Sequence, residues 1–187
     1  MEDAPLRLRP DVTLAPLALE HAPKMFEWMR DPAVRENVGL RSDPSLERTI
    51  AWIESALRDD SIRARAVLLA GRHVGNVVLD RMDRYLSSAR FSIYIGEPAA
   101  RGGGVGTSAT YRAMEVGFQE LGLYKIWLTV HSRNSIAVHA YKKVGFVQEG
   151  VLRGEFLLGG ERLDALYMGL LKDDFERLPV AGLKGEM

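Results

Sequence analysis

The feature that most restricts the fold of this chain is a glycine cluster that separates a strand-like segment from a long helical one. Gly102, Gly103 and Gly104 are consecutive, and Gly106 follows after one valine. Glycine tolerates a left-handed backbone and allows other atoms to approach the main chain closely. The cluster therefore predicts a tight strand–loop–helix connection. Its backbone N–H groups, at the start of a helix, can hold an anion such as a phosphate.

Strand-type and helix-type patterns alternate along the rest of the chain. Apolar runs of strand length predict strands, and apolar residues spaced three or four apart predict helices. The predicted strands are 12–17, 64–70, 73–80, 89–95, 126–130, 146–158 and 163–171, and the predicted helices are 20–30, 45–58, from the glycine cluster to about 121, and 134–144. This order, β-α-α-β-β-β-α-β-α-β-β, predicts a single mixed α/β (α+β) domain over residues 5–172. A C-terminal extension, 173–187, is expected to be partly disordered.

Composition excludes several classes of protein. The 187 residues carry 25 Lys and Arg side chains, 25 Asp and Glu side chains, and no cysteine. The lack of cysteine excludes a disulfide framework, a zinc ribbon, an iron–sulfur cluster and a thiol nucleophile. The charge balance argues against a nucleic-acid partner, and no apolar run approaches the ~18 residues of a membrane-spanning helix. We therefore expect a cytoplasmic protein without nucleic-acid or membrane partners.

A second segment, residues 134–146, combines polar and aromatic residues at helical spacing. Asn134 suits the N-cap of the predicted helix, and Tyr141 lies two turns later on nearly the same face. A plain helix cap and a core aromatic explain these two residues equally well. The glycine cluster is also ambiguous by itself, because it matches neither a Walker A loop nor the G-x-G-x-x-G dinucleotide fingerprint.

Together the two segments resemble the GNAT superfamily of N-acetyltransferases. The first matches its acetyl-CoA motif, R/Q-x-x-G-x-G/A, with Arg101, Gly104 and Gly106. The second matches its signature N-x-x-A-x-x-x-Y-x-x-x-G-F, with Asn134, Ala137, Tyr141, Gly145 and Phe146. Flanking stretches at 31–35, 45–53 and 149–168 resemble the ribosomal-protein-alanine and spermidine acetyltransferase-like branch. The resemblance covers about residues 5–172.

The resemblance implies a sheet that splays between the fourth and fifth predicted strands, 89–95 and 126–130, and acetyl-CoA as the co-substrate. The glycine loop would hold the pyrophosphate, the edge of the fourth strand would pair with the pantetheine arm, and Asn134 would contact a pantetheine amide or an ordered water. The implied cofactor-binding residues are Tyr94, Ile95, Arg101, Gly102, Gly103, Gly104, Val105, Gly106, Thr107, Asn134 and Tyr141.

The implied chemistry is direct attack of an amine on the thioester, with Tyr141 as the acid that protonates the departing thiolate. Relatives often carry a glutamate base early in the strand before the glycine loop, and by register that position here is Arg90. Arginine cannot accept a proton, so the base is left open between ordered water and another side chain. The candidates are Glu97, Asp80, Asp83, His131 and Glu155. Of these, Glu155 is favoured, because its strand should border the acceptor cleft.

The acceptor also stays open. Arg35, Asn37 and Arg90 are the candidate substrate-binding residues, with the first two in a predicted loop. A small amine, an amino sugar (nucleotide-linked or not) and a protein N-terminus all remain as acceptors. The alternative to an enzyme is an acyl-CoA-binding sensor or scaffold that has lost turnover. We expect no metal, because no histidine pair has metal-ligand spacing with a carboxylate. The final hairpin is a candidate edge for a homodimer.

Overall fold

The computed structural model describes residues 5–38, 40 and 42–181. Within them the chain forms nine strands and six α helices. The strands are β1 (Leu6–Arg7), β2 (Val12–Pro16), β3 (Arg63–Leu69), β4 (Arg72–Asp83), β5 (Ser88–Ile95), β6 (Lys125–His131), β7 (Val147–Leu158), β8 (Glu161–Leu171) and β9 (Val180–Ala181). The helices are α1 (Ala22–Met29), α2 (Pro32–Val38), α3 (Leu46–Arg58), α4 (Val105–Glu115), α5 (Ser135–Lys143) and α6 (Lys172–Glu176). None of the described helices is long and apolar enough to cross a bilayer.

Seven strands form one mixed sheet in the order β2-β3-β4-β5-β6-β8-β7. Neighbouring strands are antiparallel except for β5 and β6, which are parallel. These two strands pair only at Ser88 with Lys125, Ala89 with Ile126 and Arg90 with Trp127. Beyond Arg90 their pairing ends, which leaves a wedge-shaped slot between them. This confirms the predicted splay between the strands at 89–95 and 126–130.

The two faces of the sheet carry separate apolar clusters. On one face, alternate residues of the central strands, such as Leu79, Phe91 and Ile126, pack with α4 and α5 in the larger core. On the opposite face, α1 and α3 cover β3 through a smaller cluster that includes Trp28 and Ile53. The period-2 alternation of a strand sends successive side chains to opposite faces, so β3 and β5 each contribute side chains to both clusters.

Left-handed turn residues fix the two predicted hairpins. Ala70 and Gly71, between β3 and β4, have φ of 48° and 77°. Gly159 and Gly160, between β7 and β8, have φ of 54° and 84°. Two consecutive residues with positive φ are typical of the type I′ turn, whose twist matches that of antiparallel strands. Both turns therefore fall between predicted strands, although Ala70 belongs to the first turn rather than to the strand predicted over 64–70, and Arg72 already belongs to β4.

The structure differs from the predicted loop around Arg35 and Asn37. Residues 32–38 form α2, so the prediction of a loop there is wrong. Pro32 ends α1, as expected, but proline is also favourable in the first turn of a helix, where its missing N–H is not needed. The N–H of Arg35 donates to the carbonyl of Asp31 at 3.0 Å, which starts the new helix. The side chain of Asn37 lies outside the described residues.

The long predicted helix after the glycine cluster changes geometry before its end. α4 stops at Glu115 and continues as a π-helical turn over Val116–Glu120. Gly117 lies in that turn, and a Cβ atom there would be 2.4 Å from Cδ1 of Ile126 on β6. The glycine therefore allows the turn to pack directly on the sheet. Gly122, with φ of 66°, ends the segment.

The chain beyond residue 172 contributes to the fold. α6 places Phe175 in the larger core, against the rings of Tyr111 and Phe118 at 4.9 and 5.2 Å. Val180 in β9 pairs with Leu6 in β1, which joins the two ends of the described chain. Residues 182–187, the end of the predicted extension, lie outside the described residues.

Candidate active site

The slot between β5 and β6 exposes the unpaired edge of β5. The N–H of Gly96 donates to the carbonyl of Val74 on β4 at 2.9 Å. Because N–H groups alternate in direction along a strand, those of Ile93 and Ile95 are directed into the slot. By the same alternation the main chain of Tyr94 is directed at β4, where it pairs with Asn76. The edge of β5 can therefore hydrogen-bond an extended ligand, as an added strand would.

The glycine cluster lies at the open end of this slot. Gly102, Gly103 and Gly104 have φ of 84°, 56° and 83°, and Gly104 is the N-cap of α4. L-residues rarely adopt this left-handed region, so three glycines in a row are needed for this path. The first-turn N–H groups of α4, including those of Gly106 and Thr107, have no intrahelical partner. A Cβ atom at Gly106 would meet no heavy atom within 4 Å, so space is open beside them.

Two arginines flank the loop in different ways. The guanidinium of Arg101 donates to the carbonyls of Ile95 and Gly96, both at 3.1 Å, and it ties the end of β5 to the loop. Arg9 was not found from the sequence, because only the fold brings β1 and its flank to this loop. Its main-chain N–H donates to Oγ of Ser108 in α4 at 2.9 Å, and its guanidinium pairs with Asp11.

Helix α5 places the two residues of the second motif. The side-chain oxygen of Asn134 accepts from the N–H of Ala137 at 3.1 Å, so this residue caps the helix as predicted. Tyr141 is buried, with its ring centroid 6.3 Å from that of Phe91 and 5.8 Å from that of Phe146. Phe91 is the first residue of β5 after the last pair with β6. Tyr141 therefore lies at the narrow end of the slot.

Burial also sets the protonation of this tyrosine. Desolvation of the phenol raises the pKa of Tyr141 above its ordinary value of 10.0. A buried phenolate is unfavourable in a medium of low polarity. The hydroxyl therefore stays protonated at neutral pH and remains available as a hydrogen-bond or proton donor.

The face of β5 opposite Tyr141 is open at mid-strand. Ser92 is exposed although it belongs to the central strand of the sheet. Arg90, two residues earlier on the same face, donates from Nε and Nη2 to the two carboxylate oxygens of Asp80, at 2.8 and 2.6 Å. Ser92 and this ion pair form a partly exposed surface beside the slot, which we call the acceptor-side cleft. The sequence did not single out Ser92, because an isolated serine in a strand carries no signal.

An aromatic stack stands beside this cleft on β6 and β8. The rings of Trp127 and Tyr167 have centroids 5.2 Å apart and are nearly parallel, at 17°. Trp127 is the register partner of Arg90 across the narrow end of the slot. Lys125 pairs with Glu149 at 2.6 Å on the same side of Tyr167. Along β6, bulkier polar and aromatic residues alternate with Ile126, Leu128 and Val130. This alternation is the sequence signal for the face that carries the aromatic stack.

The other predicted site residues are distributed around this cleft or away from it. Glu155 is exposed on β7, in a bulge whose Gly154 donates its N–H to Asp164 at 2.9 Å. Arg35 pairs with the exposed Asp43 at 3.5 Å. Asp83 accepts the N–H groups of Tyr85 and Leu86 in the β4–β5 turn, so it acts as a turn cap.

A buried polar group lies under α1, next to the end of β5. Oδ1 of Asn76 accepts from the hydroxyl of Tyr94 at 2.8 Å and lies 3.3 Å from Nε2 of His73. His73 is held between His21 and Trp28, with ring centroids at 4.5 and 4.8 Å. Desolvation, and then the proximity of His21, lower the pKa of His73 to about 4.

No group of three or more histidine, aspartate or glutamate side chains that could hold a metal ion occurs in the part of the chain that the structure describes. The polar groups of the slot are main-chain N–H groups and paired charges, which suit an anionic, extended ligand better than a cation.

Comparison with known proteins agrees with this geometry. The acetyltransferase (GNAT) domain family matches residues 11–147. The spermidine N(1)-acetyltransferase of Escherichia coli (strain K12) is 35% identical over 119 residues, which cover 64% of this chain and 63% of that protein. An uncharacterised SPbeta prophage-derived N-acetyltransferase of Bacillus subtilis (strain 168) is 27% identical over 152 residues, which cover 81% of this chain and 85% of that protein. The chain thus matches slightly less than two thirds of the E. coli relative's length.

Solved structures share the fold along most of the chain. The crystal structure of spermidine N-acetyltransferase from Vibrio cholerae in complex with CoA and spermine has a TM-score of 0.85 at 26% identity, and covers 90% of this chain and 100% of that one. A dodecameric structure of the V. cholerae enzyme in an intermediate state has a TM-score of 0.78 at 26% identity, with coverage of 90% and 98%. From the family match, the splayed sheet and the glycine loop that precedes α4, we conclude that this chain belongs to the GNAT acetyltransferase family.

Proposed function

We propose that this protein transfers an acetyl group from acetyl-CoA to a primary amine. One observation carries the proposal: the pairing of β5 and β6 ends at Arg90, so an unpaired strand edge leads from the glycine loop to the buried Tyr141. Such a slot fits a ligand with an anionic end, an amide-bearing arm and a reactive tip. CoA has this arrangement.

The cofactor would bind mainly through main-chain groups. The pyrophosphate would accept from the N–H groups of Gly103, Gly104, Gly106 and Thr107 at the positive end of α4. The pantetheine amides would pair with the edge of β5 at Ile93 and Ile95. The V. cholerae relative, whose crystal structure contains CoA, supports this assignment by its shared fold. The side chain of Arg101 would act indirectly, because its donors already hold the carbonyls of Ile95 and Gly96.

The transfer step needs a neutral amine. The pKa of an alkylamine is about 10, so the ammonium must first lose a proton to water or to a base. The amine nitrogen then attacks the thioester carbonyl carbon, a C–N bond forms, the attacking nitrogen releases a second proton to water, and the C–S bond breaks to release CoA. An N–H on the slot edge near Phe91, next to Tyr141, would stabilise the oxyanion. Tyr141 would donate to the departing sulfur, and it would regain a proton from solvent.

Ordered water is the best supported route for the amine proton. Arg90 stands at the position where relatives often carry glutamate. Asp80, the carboxylate that contacts Arg90, is held by that arginine. Ser92 is exposed in the floor of the cleft, so water reaches the strand edge there. Glu155 stays a predicted base, on an exposed bulge of β7. The roles predicted for Asn134, beyond its cap, and for Arg35 in acceptor binding likewise stay predictions.

The acceptor is proposed as a class rather than as a compound. Relatives named for spermidine support an amine, and small amines, amino sugars and protein N-termini share the reacting group. The predicted homodimer would bury part of β7, where Val147, Val151 and Leu157 are exposed. The dodecameric V. cholerae relative shows that this fold can assemble.

Thiol release tests the proposal directly. Acetyl-CoA is mixed with the protein and a panel of amines, amino sugars, amino acids and N-terminal peptides, and free CoA is detected by its thiol. The protein contributes no thiol background, because it has no cysteine. We expect amine-dependent release by the wild type and a large loss in Tyr141→Phe. Tight acetyl-CoA binding without release for any amine would identify an acyl-CoA-binding module instead.

A further inference from the structure

The ion pair between Arg90 and Asp80 occupies the floor of the acceptor-side cleft. The two residues are register partners on β4 and β5, and both nitrogen–oxygen contacts are short, at 2.8 and 2.6 Å. Their side chains are 31% and 21% exposed, so the pair is partly shielded from solvent. A two-point contact of this kind fixes the guanidinium in one plane. The pair is therefore a permanent part of the cleft floor.

The carboxylates on and beside this floor already have partners. The strands β4, β5 and β6 carry two carboxylates, Asp80 and Asp83. Asp80 is neutralised by Arg90, and Asp83 accepts two N–H groups in its own turn. Glu149, on the neighbouring β7, pairs with Lys125 at 2.6 Å. Asp80 and Glu149 therefore have no free charge for a cation, and Asp83 keeps its charge only at the exposed turn after β4.

We propose that the Arg90–Asp80 pair makes the site select acceptors by their charge. The site then accepts an amine with a single ammonium group and discriminates against polyamines. This inference rests on the proposed function, because it concerns the acceptor of that same reaction. The reacting nitrogen must be neutral, but the other nitrogens of a polyamine stay protonated. Each remaining ammonium needs a negative partner, and the closed Arg90–Asp80 pair, with no net charge, offers none.

Two single variants are expected to change specificity in opposite directions. In Arg90→Gln the carboxylate of Asp80 loses its counter-charge and becomes available to an ammonium group. In Asp80→Asn the guanidinium of Arg90 is left without its partner, which adds positive charge to the cleft. The double variant Arg90→Gln/Asp80→Asn removes both charges and keeps similar side-chain volumes, so it serves as the matched neutral control.

The experiment measures spermidine binding by calorimetry on the CoA-saturated protein, together with kcat/KM for spermidine and for n-butylamine. We expect Arg90→Gln to bind spermidine about tenfold more tightly than the wild type or better, with an advantage that falls as salt rises. Asp80→Asn should bind spermidine more weakly than the wild type. The double variant should return to within about threefold of it. The wild type should prefer n-butylamine. Thermal melts confirm that each variant is folded.

The results separate this inference from the proposed function. Equal spermidine affinity in the wild type, Arg90→Gln and Asp80→Asn would overturn the inference, even if every protein releases CoA. A wild type that prefers spermidine, with a preference unchanged in Arg90→Gln, would also overturn it. Absence of CoA release with any amine would refute the proposed function, while the binding measurement would still decide whether the ion pair controls polyamine affinity.

Discussion

Replacement of Gly106 by valine should separate cofactor binding from folding. Gly106 is the second residue of α4, and a Cβ atom there would have no heavy atom within 4 Å. Valine should fold without strain, because glycine is the poorer helix former by a few tenths of a kcal/mol. The branched side chain would fill the space in front of the first-turn N–H groups. By contrast, Gly104→Val would confound the test, because φ at Gly104 is 83° and an L-residue there is strained.

The expected loss of affinity follows from the hydrogen bonds that valine would block. A hydrogen bond to a charged group contributes about 1.5–3 kcal/mol, so blocking one or two costs about 2–6 kcal/mol. Since 1.4 kcal/mol is tenfold, calorimetry should show acetyl-CoA affinity weaker by roughly thirtyfold or more. The melting temperature without ligand should stay within about 2 °C of the wild type.

The matched control is Gly150→Val, on β7 and outside the glycine loop. A Cβ atom at Gly150 also meets nothing within 4 Å. This variant should bind acetyl-CoA as the wild type does. If Gly106→Val folds normally and keeps wild-type affinity, the pyrophosphate does not bind at the start of α4 and the assignment of the glycine loop is incorrect.

Three further predictions address the second motif and the polar group under α1. Tyr141→Phe keeps the ring contacts with Phe91, so kcat should fall at least tenfold with little change in Kd for acetyl-CoA; an equal loss in both would make the tyrosine structural. Asn134→Ala should lower the free energy of unfolding by about 1 kcal/mol through loss of the cap, whereas Asn134→Asp should retain stability. If Asn134→Asp is fully stable but binds acetyl-CoA more weakly, the side chain also contacts the cofactor. If binding is unchanged, Asn134 acts only as a helix cap. The lowered pKa of His73, about 4, means that the unfolded chain binds more protons than the native one between pH 6.5 and 4. The free energy of unfolding should therefore fall by about 1–2 kcal/mol as pH drops through this window, after allowance for the partial exposure of the ring. Chemical denaturation of His73→Phe should show a smaller fall over the same pH range. An unchanged slope in that variant would mean that other groups cause the pH dependence.

The parts of the site built from local backbone chemistry were predictable from the sequence. Gly102, Gly103 and Gly104 adopt left-handed conformations that other residues avoid, so the cluster itself indicates the turn into α4. Asn134 is the N-cap of its helix for equally local reasons. The two motifs and their spacing indicated the resemblance to the family, and that resemblance implied the splayed sheet.

The parts that depend on register were not predictable. The pairing of Arg90 with Asp80 depends on how β4 and β5 align, and the pairing between them is interrupted by a bulge between Asp80 and Asp83. Arg81, inside that bulge, has φ of 49°, which a sequence pattern does not reveal for an arginine. The contact of Arg9 with Ser108 joins residues that are 99 positions apart in the sequence. Such contacts follow from the complete fold rather than from neighbouring residues.

The local ambiguity of proline explains the missed helix. Pro32 follows the helix that the sequence predicts over 20–30, and the same residue begins α2. Proline is compatible with a break and with a first helical turn. Residue type alone does not decide between them. The missed helix, which carries Arg35, contacts β5 and so lies beside the candidate site.

Backbone amide chemical shifts during an acetyl-CoA titration test the central claim most directly, since the slot is defined by main-chain N–H groups. In a protein of 20.8 kDa these signals can be resolved individually. We expect the largest saturable shifts at Ile93, Ile95, Gly103 and Gly106. Shifts confined to another surface, such as the shallow groove of about 220 Å³ between β2 and α4, or no shifts at millimolar acetyl-CoA, would contradict the account.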